Sequence, residues 1–158
     1  MEYRKATLSD IDELSQMRVD MHLEDDAYPE EFQNLLCRNT GSYIAEGLKD
    51  GSFSAWVATD KDDIVAMGGV CFFTLPPNDW CPSGKTAYIS SMYTLPGYRR
   101  QGIATRLMNL LIEEAKERRC QRIWLNASDA GRPLYRKFGF TDSATAMGMY
   151  PFGIMQED

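Results

Sequence analysis

Eight residues from Tyr98 to Thr105, Tyr-Arg-Arg-Gln-Gly-Ile-Ala-Thr, set two guanidinium groups beside a glycine and small neighbours. The chemistry that suits this order is the capture of an oxyanion. Arg99 and Arg100 are multi-donor cations matched to phosphate. Gly102 and Ala104 keep side chains away from the backbone, so an anion can approach the amides closely. Those amides are free only at the opening of a helix, whose first turn leaves about four N–H groups without intrahelical acceptors and carries roughly half a positive charge.

The flanking residues predict such a position. Thr86 to Leu95 is rich in aromatic and β-branched residues and is closed by Pro96-Gly97, which reads as a strand and its turn. Ile103, Leu107, Leu110 and Leu111 then recur at helical spacing, with Arg106, Asn109, Glu113 and Glu117 on the other side. The segment from Arg99 to Ala104 therefore lies where a strand hands over to an amphipathic helix, and a pyrophosphate is its natural guest. No G-x-G-x-x-G follows a strand and no G-x-x-x-x-G-K-S/T occurs, which argues against dinucleotide and nucleoside triphosphate sites.

Arg99-x-x-Gly102-x-Ala104 in this setting resembles the R/Q-x-x-G-x-G/A motif of GNAT-type N-acetyltransferases. A second likeness follows in order: Ile123-Trp124-Leu125-Asn126, then Leu134-Tyr135-Arg136-Lys137-Phe138-Gly139-Phe140, which is similar to that family's next strand and its L-Y-x-x-x-G-F. The likeness runs from Tyr3 to about Tyr150. It implies a single α/β (α+β) domain over residues 1–158, a mixed, mostly antiparallel twisted sheet with splayed central parallel strands and helices on both faces. It also implies acetyl-CoA as co-substrate and transfer of its acetyl group to a primary amine. Residue by residue, it assigns coenzyme contacts to Met92, Tyr93 and Thr94 on the strand, with main-chain bonds from Met92 and Thr94. It extends them to Arg99, Arg100, Gln101, Gly102, Ile103, Ala104 and Thr105 in the loop and helix start, and to Ser128. Tyr135 matches the tyrosine near the thioester sulfur; a phenol with a reference pKa of about 10 holds its proton at neutral pH and can give it to a leaving thiolate.

The nucleophile must be a neutral amine, and deprotonating an alkylammonium at pH 7 costs on the order of 4–5 kcal/mol unless the site lowers its pKa. Many relatives place a glutamate on the strand before the loop as base; here Tyr88, Ile89, Ser90 and Ser91 stand there. The base is left among Glu24, Asp25, His22 and a water held by Tyr88 and Ser90. Two further departures are Ser128, where relatives often have asparagine, and Gly131, where they often have alanine. The acids around His22, from Glu24 to Glu31, read either as a solvated helix end or as a rim for an ammonium-bearing acceptor. Trp80, on the loop from Pro76 to Lys85, reads as an anchor packed on the body, with an aromatic wall for the acceptor as the alternative. The acceptor is expected to be a small molecule; a protein lysine or α-amine acetyltransferase and a non-catalytic acyl-CoA sensor are the rivals.

Composition sets limits on partners and place. A net charge of -6 argues against a nucleic-acid surface. No apolar run approaches the ~20 residues of a membrane span, and Met1-Glu2-Tyr3-Arg4-Lys5 opens no secretory signal. Cys37, Cys71, Cys81 and Cys120 are scattered, with a single histidine, so no metal site is expected and the thiols read as those of a cytoplasmic protein. Monomer and homodimer both remain open.

In chain order, Glu2–Ala6 is a strand, followed by a helix capped either by Thr7 with Asp10 or by Ser9 with Asp12. Ile11, Leu14, Met17 and Met21 mark its buried face. A second helix entered at Pro29 should break at Asn39-Thr40-Gly41, with Ser42 capping another that ends near Asp50-Gly51. Phe53–Thr59 and Ile64–Leu75 form a hairpin in which Gly68-Gly69 marks a bulge or a close backbone neighbour. Closing strands are expected from Phe140 on, the last at Ala146–Tyr150.

Overall fold

The computed structural model describes residues 1–143 and 145–151. Met1–Asn126 and Ala127 onward form two compact units. In the first, the strands are β1 (Glu2–Lys5), β2 (Phe53–Asp60), β3 (Asp63–Thr74), β4 (Lys85–Thr94) and β5 (Arg122–Leu125). They lie in one five-stranded sheet in that order. β1 to β4 are antiparallel neighbours, while β5 runs parallel to β4. The helices are α1 (Ile11–Leu23), α2 (Glu30–Asp50) and α3 (Ile103–Glu117).

The strand alternation assigns the layers. Ala55, Val57, Met67 and Tyr93 pack with Leu14, Met17 and Ile44 of α1 and α2. Ala58, Val65 and Ala66 pack with Ile103 and Leu107 of α3. The sheet thus carries helices on both faces. Beneath α3 one acid is buried: Glu114, 4% exposed, accepts from Lys5 Nζ at 3.0 Å, Ser54 Oγ at 3.0 Å, Trp56 Nε1 at 2.9 Å and Arg118 at 3.1 Å. Burial pushes its carboxyl up, yet the bonds from Lys5, Trp56 and Ser54 bring it below the ordinary value. The network ties β1 and β2 to α3 from below.

The entry to α1 settles the first capping alternative. Asp10 accepts from the Thr7 N–H at 2.7 Å and from two Arg4 nitrogens at 2.8 Å each. Arg4 above all holds its carboxyl down at about 2, against the cost of burial. Because the folded pKa lies below the ordinary 3.8, the contribution is whole above that pH and is lost as pH falls toward 2. Denaturant titrations should therefore show a loss on the order of 2 kcal/mol between pH 4 and 2, which Arg4→Gln flattens.

α2 corrects the sequence reading, since it runs unbroken for 21 residues through Asn39-Thr40-Gly41. A Cβ on Gly41 would stand 3.3 Å from Ser15 Oγ and 3.5 Å from Ile11 Cγ2. The glycine marks where α2 crosses α1 closely, and packing there offsets its propensity cost of about 1 kcal/mol. At Gly68-Gly69 both expectations hold in part. Met67 faces Tyr93 and Gly69 faces Ser90, so Ser91 and Met92 oppose Gly68 alone. The extra residue sits on β4, where Ser91 adopts φ 55. The glycines make room, because Cβ atoms there would lie 2.7 Å from Met92 Sδ and 2.7 Å from Phe53 Cζ.

In the second unit, α4 (Arg132–Lys137) is followed by Gly139 at φ 87, a left-handed stop that suits glycine. The closing strands do not form among the described residues: 140–143 and 145–150 are irregular. Their sequence lacks period-2 patterning, and Arg132 and Arg136 both bond Asp142 instead. Ala144 and residues 152–158 lie outside the described residues.

Candidate active site

β4 outruns its parallel partner. The pairing of β4 with β5 ends at Ile89 and Leu125, while β4 continues to Thr94. Beyond that point no strand among the described residues pairs with its far edge. Leu95 N–H bonds Val65 O at 2.9 Å. Alternation along an antiparallel pair therefore turns the peptide groups of Met92 and Thr94 away from β3, into the fork. The fork and the bulge are the physical content of the expected splay.

From the fork the chain turns through Pro96–Tyr98 into the loop and α3. Tyr98 Oη donates to Asp60 at 3.0 Å, fixing the turn to the β2–β3 hairpin. Arg100 has φ 63 and Gly102 has φ 80. The Gly102 carbonyl receives the first helical bond, from Arg106 N–H at 3.1 Å. The N–H groups of Ile103, Ala104 and Thr105 therefore precede the ladder and have no acceptor among the described residues; no side chain caps them. A Cβ on Gly102 would meet nothing within 4 Å, so the space over these amides is clear of protein.

The two arginines stand differently. Arg99 has partners within the protein: its Nε donates to Thr94 O at 2.9 Å, its terminal nitrogen pairs with Glu24, and it lies 5.7 Å over the Tyr93 ring. Tyr93 Oη also donates to Glu24, at 3.1 Å. Burial, then this bond, pushes the Tyr93 phenol up. Glu24 thus accepts from two partners, Tyr93 and Arg99. Arg100, exposed and without a side-chain hydrogen bond among the described residues, is the remaining cation of the pair. Gln101 Nε2 reaches back to Gly97 O at 3.3 Å.

The α1–α2 face of β4 gathers the other polar candidates. Tyr88 Oη accepts from Asn126 Nδ2 at 3.2 Å, and its ring lies 4.5 Å from that of Trp124. Ser90 stands opposite Gly69, next to the bulge. Arg18, which the sequence reading passed over, donates to Ser91 Oγ at 2.7 Å. The only available signal was an arginine on the apolar stripe of α1, one turn before His22. Burial lowers the His22 pKa first and Arg18 lowers it further, against Asp25, so the imidazole is neutral at pH 7. Asp25 is exposed on the α1–α2 connection. Trp80 is corrected outright: it is 87% exposed, not an anchor, and sits at the opposite end of β4 from the fork.

Within the second unit, Tyr135 lies 6.2 Å from Phe140, ring centre to ring centre. A Cβ on Gly131 would stand 2.9 Å from its ring, which gives the departure from alanine a local reason. Ser128 Oγ accepts from Gly131 N–H at 3.2 Å, capping the approach to α4.

The strand fork beside bare helix amides, with helices over both sheet faces, is the arrangement that the resemblance to an acetyl-CoA-dependent transferase implied. The Acetyltransferase (GNAT) family model matches residues 12–140. A predicted acetyltransferase of Clostridium acetobutylicum, solved with acetyl-CoA, is 33% identical, with TM-score 0.85 over 94% of this chain and 95% of that one. A GCN5-related N-acetyltransferase of Ralstonia eutropha is 27% identical, with TM-score 0.87 over 96% and 99%. A transcriptional regulator of Bacillus halodurans is 26% identical, with TM-score 0.74 over 94% and 98%. The chain belongs to the GNAT acetyltransferase family and is an N-acetyltransferase with acetyl-CoA as co-substrate.

Proposed function

We propose that the protein acetylates a primary amine of a small molecule by direct attack on the acetyl-CoA thioester. The observation that carries this reading is the fork, where the inward peptide groups of Met92 and Thr94 lead straight to the bare amides of Ile103, Ala104 and Thr105. In this reading those amides, with Arg100, grip the coenzyme's pyrophosphate. Met92 and Thr94 bond the pantetheine, and a main-chain donor there polarises the thioester oxygen as the tetrahedral intermediate forms. Gly102 keeps the approach clear, and Gln101 with Arg99 holds the loop in shape. The family likeness assigns coenzyme contact to Ser128 and Tyr135 as well, Tyr135 as the acid that protonates the departing thiolate.

His22 is the base we assign. It is held neutral, and it stands one helical turn after Arg18, whose guanidinium bonds Ser91 of β4. Tyr88 and Ser90 line the acceptor's side, with Asp25 at its rim. We read residues 1–158 as a single domain, a reading supported by a family match that spans residues 12–140. We place the enzyme in the cytoplasm; no helix among the described residues is long and apolar enough to cross a membrane.

Thiol release from acetyl-CoA, followed with polyamines, aminoglycosides and amino acids, tests the reading. Turnover should appear with one acceptor class, and kcat/KM should fall as pH drops through the His22 pKa, which lies below 6.5. Coenzyme binding without thiol release for any amine would instead make the protein a sensor.

A further inference from the structure

The most unusual charge in the first unit is the Arg18 guanidinium. Arg18 is half-buried and lines a small cavity between α1 and the sheet, with Leu14, Ile44, Phe53, Met67 and Ser91. Among the described residues its one hydrogen bond is to the Ser91 hydroxyl, although a guanidinium carries five N–H donors. No carboxylate pairs with it among the described residues. The acids of neighbouring turns are committed elsewhere. Asp10 takes Arg4, Glu13 takes the Ile64 N–H at 3.3 Å, Asp20 takes Gln16 at 2.8 Å, and Glu24 takes Arg99. Tyr43, whose charge state Arg18 also senses, is a neutral phenol bonded to Cys71 at 2.8 Å.

A cation half-withdrawn from water into apolar surroundings without a counter-charge carries a desolvation cost that an anionic partner would offset. The place it occupies is informative. Ser91 is the bulge residue, and the next residue, Met92, turns its peptide group into the fork. We propose that Arg18 receives an anionic group of the acceptor, so that the substrate is an amine carrying a carboxylate or a phosphoryl group. The inference rests on the acetyltransferase reading above and narrows it. Of the two readings of the acidic connection Glu24-Asp25-Asp26, the rim for an ammonium-bearing acceptor is weakened, because Glu24 is paired with Arg99. Arg18 shares the α1–α2 face of β4 with Tyr88 and Ser90, so an acceptor held by its anion can lay its amine toward the fork.

The test compares three matched ligands: an amino acid, its carboxamide, and the corresponding aminophosphonate. Binding is followed by the shift of the Arg18 Nε–H resonance, on the protein alone and with acetyl-CoA, and turnover by thiol release. The acid or the phosphonate should bind at least about 10-fold more tightly than the amide, and whichever of the two binds better identifies the anion. In Arg18→Gln the preference for anion over amide should collapse to near unity in KM, whereas a merely structural arginine would slow all three alike. Arg18→Lys should restore part of the preference. Amides that bind as well as acids, or a preference that survives in Arg18→Gln, would overturn the proposal. Absence of acetyl-CoA binding would defeat the acetyltransferase reading instead, and the anion comparison on the protein alone would still decide the role of Arg18.

Discussion

Gly102→Val should raise the Kd for acetyl-CoA at least about 100-fold, equivalent to about 2.7 kcal/mol, while the protein remains folded. Two effects combine. Gly102 holds φ 80, a region that a β-branched residue enters only under strain of roughly 1–2 kcal/mol. The new side chain would also project into the clear space over the first turn of α3, where no protein atom lies within 4 Å of a Cβ. The strain is borne by a surface loop, so the melting transition should drop by only a few degrees. Gly102→Ala separates the two effects, since it carries the φ penalty with far less bulk and should bind the coenzyme more tightly than the valine variant. Calorimetric titration with acetyl-CoA and thermal scans on the same samples give both numbers. Equal binding by wild type and Gly102→Val would mean that the anion does not sit over these amides.

Tyr135→Phe should lower kcat about 100-fold or more with little change in KM for acetyl-CoA, as expected when a proton donor to the leaving group is lost. The substitution keeps the ring, and with it the edge contact to Phe140 and the close fit against Gly131. A loss of stability should therefore be small. The discriminating readout is the leaving group: an acyl donor whose thiol is more acidic than that of CoA needs less protonation, so the defect should shrink with it. A uniform loss across donors would point to packing and not to acid catalysis, and full activity would remove Tyr135 from the mechanism.

Sequence reasoning reached the strand, turn and helix opening around Gly102 and stopped short of the long-range pairings around them, for a physical reason. A helix N-terminus is a local object: Pro96-Gly97, Gly102 and the stripe Ile103, Leu107, Leu111 specify it within a short run of chain, and α3 begins where they place it. Gly68-Gly69 likewise announced irregularity in β3, although only the strand register could assign the extra residue to Ser91. Long-range pairings leave no such trace. Arg99 is separated from Glu24 by most of the first unit, and nothing local to either residue indicates that they neutralise each other. The same holds for Arg18 and Ser91, and for Glu114, which occupies an apparently ordinary helical position and is buried by Lys5, Ser54 and Trp56. Gly41 misled because a glycine placed for helix crossing is indistinguishable, in one dimension, from a glycine that ends a helix.

The central claim is that backbone amides at the opening of α3 hold the coenzyme's diphosphate. Nitrogen-15 amide spectra recorded during titration with CoA observe those groups directly. The Ile103, Ala104 and Thr105 N–H resonances should move downfield together and saturate at one equivalent, as new charge-assisted hydrogen bonds form. Saturable shifts elsewhere with these three unmoved, or no shifts at all at millimolar coenzyme, would contradict it.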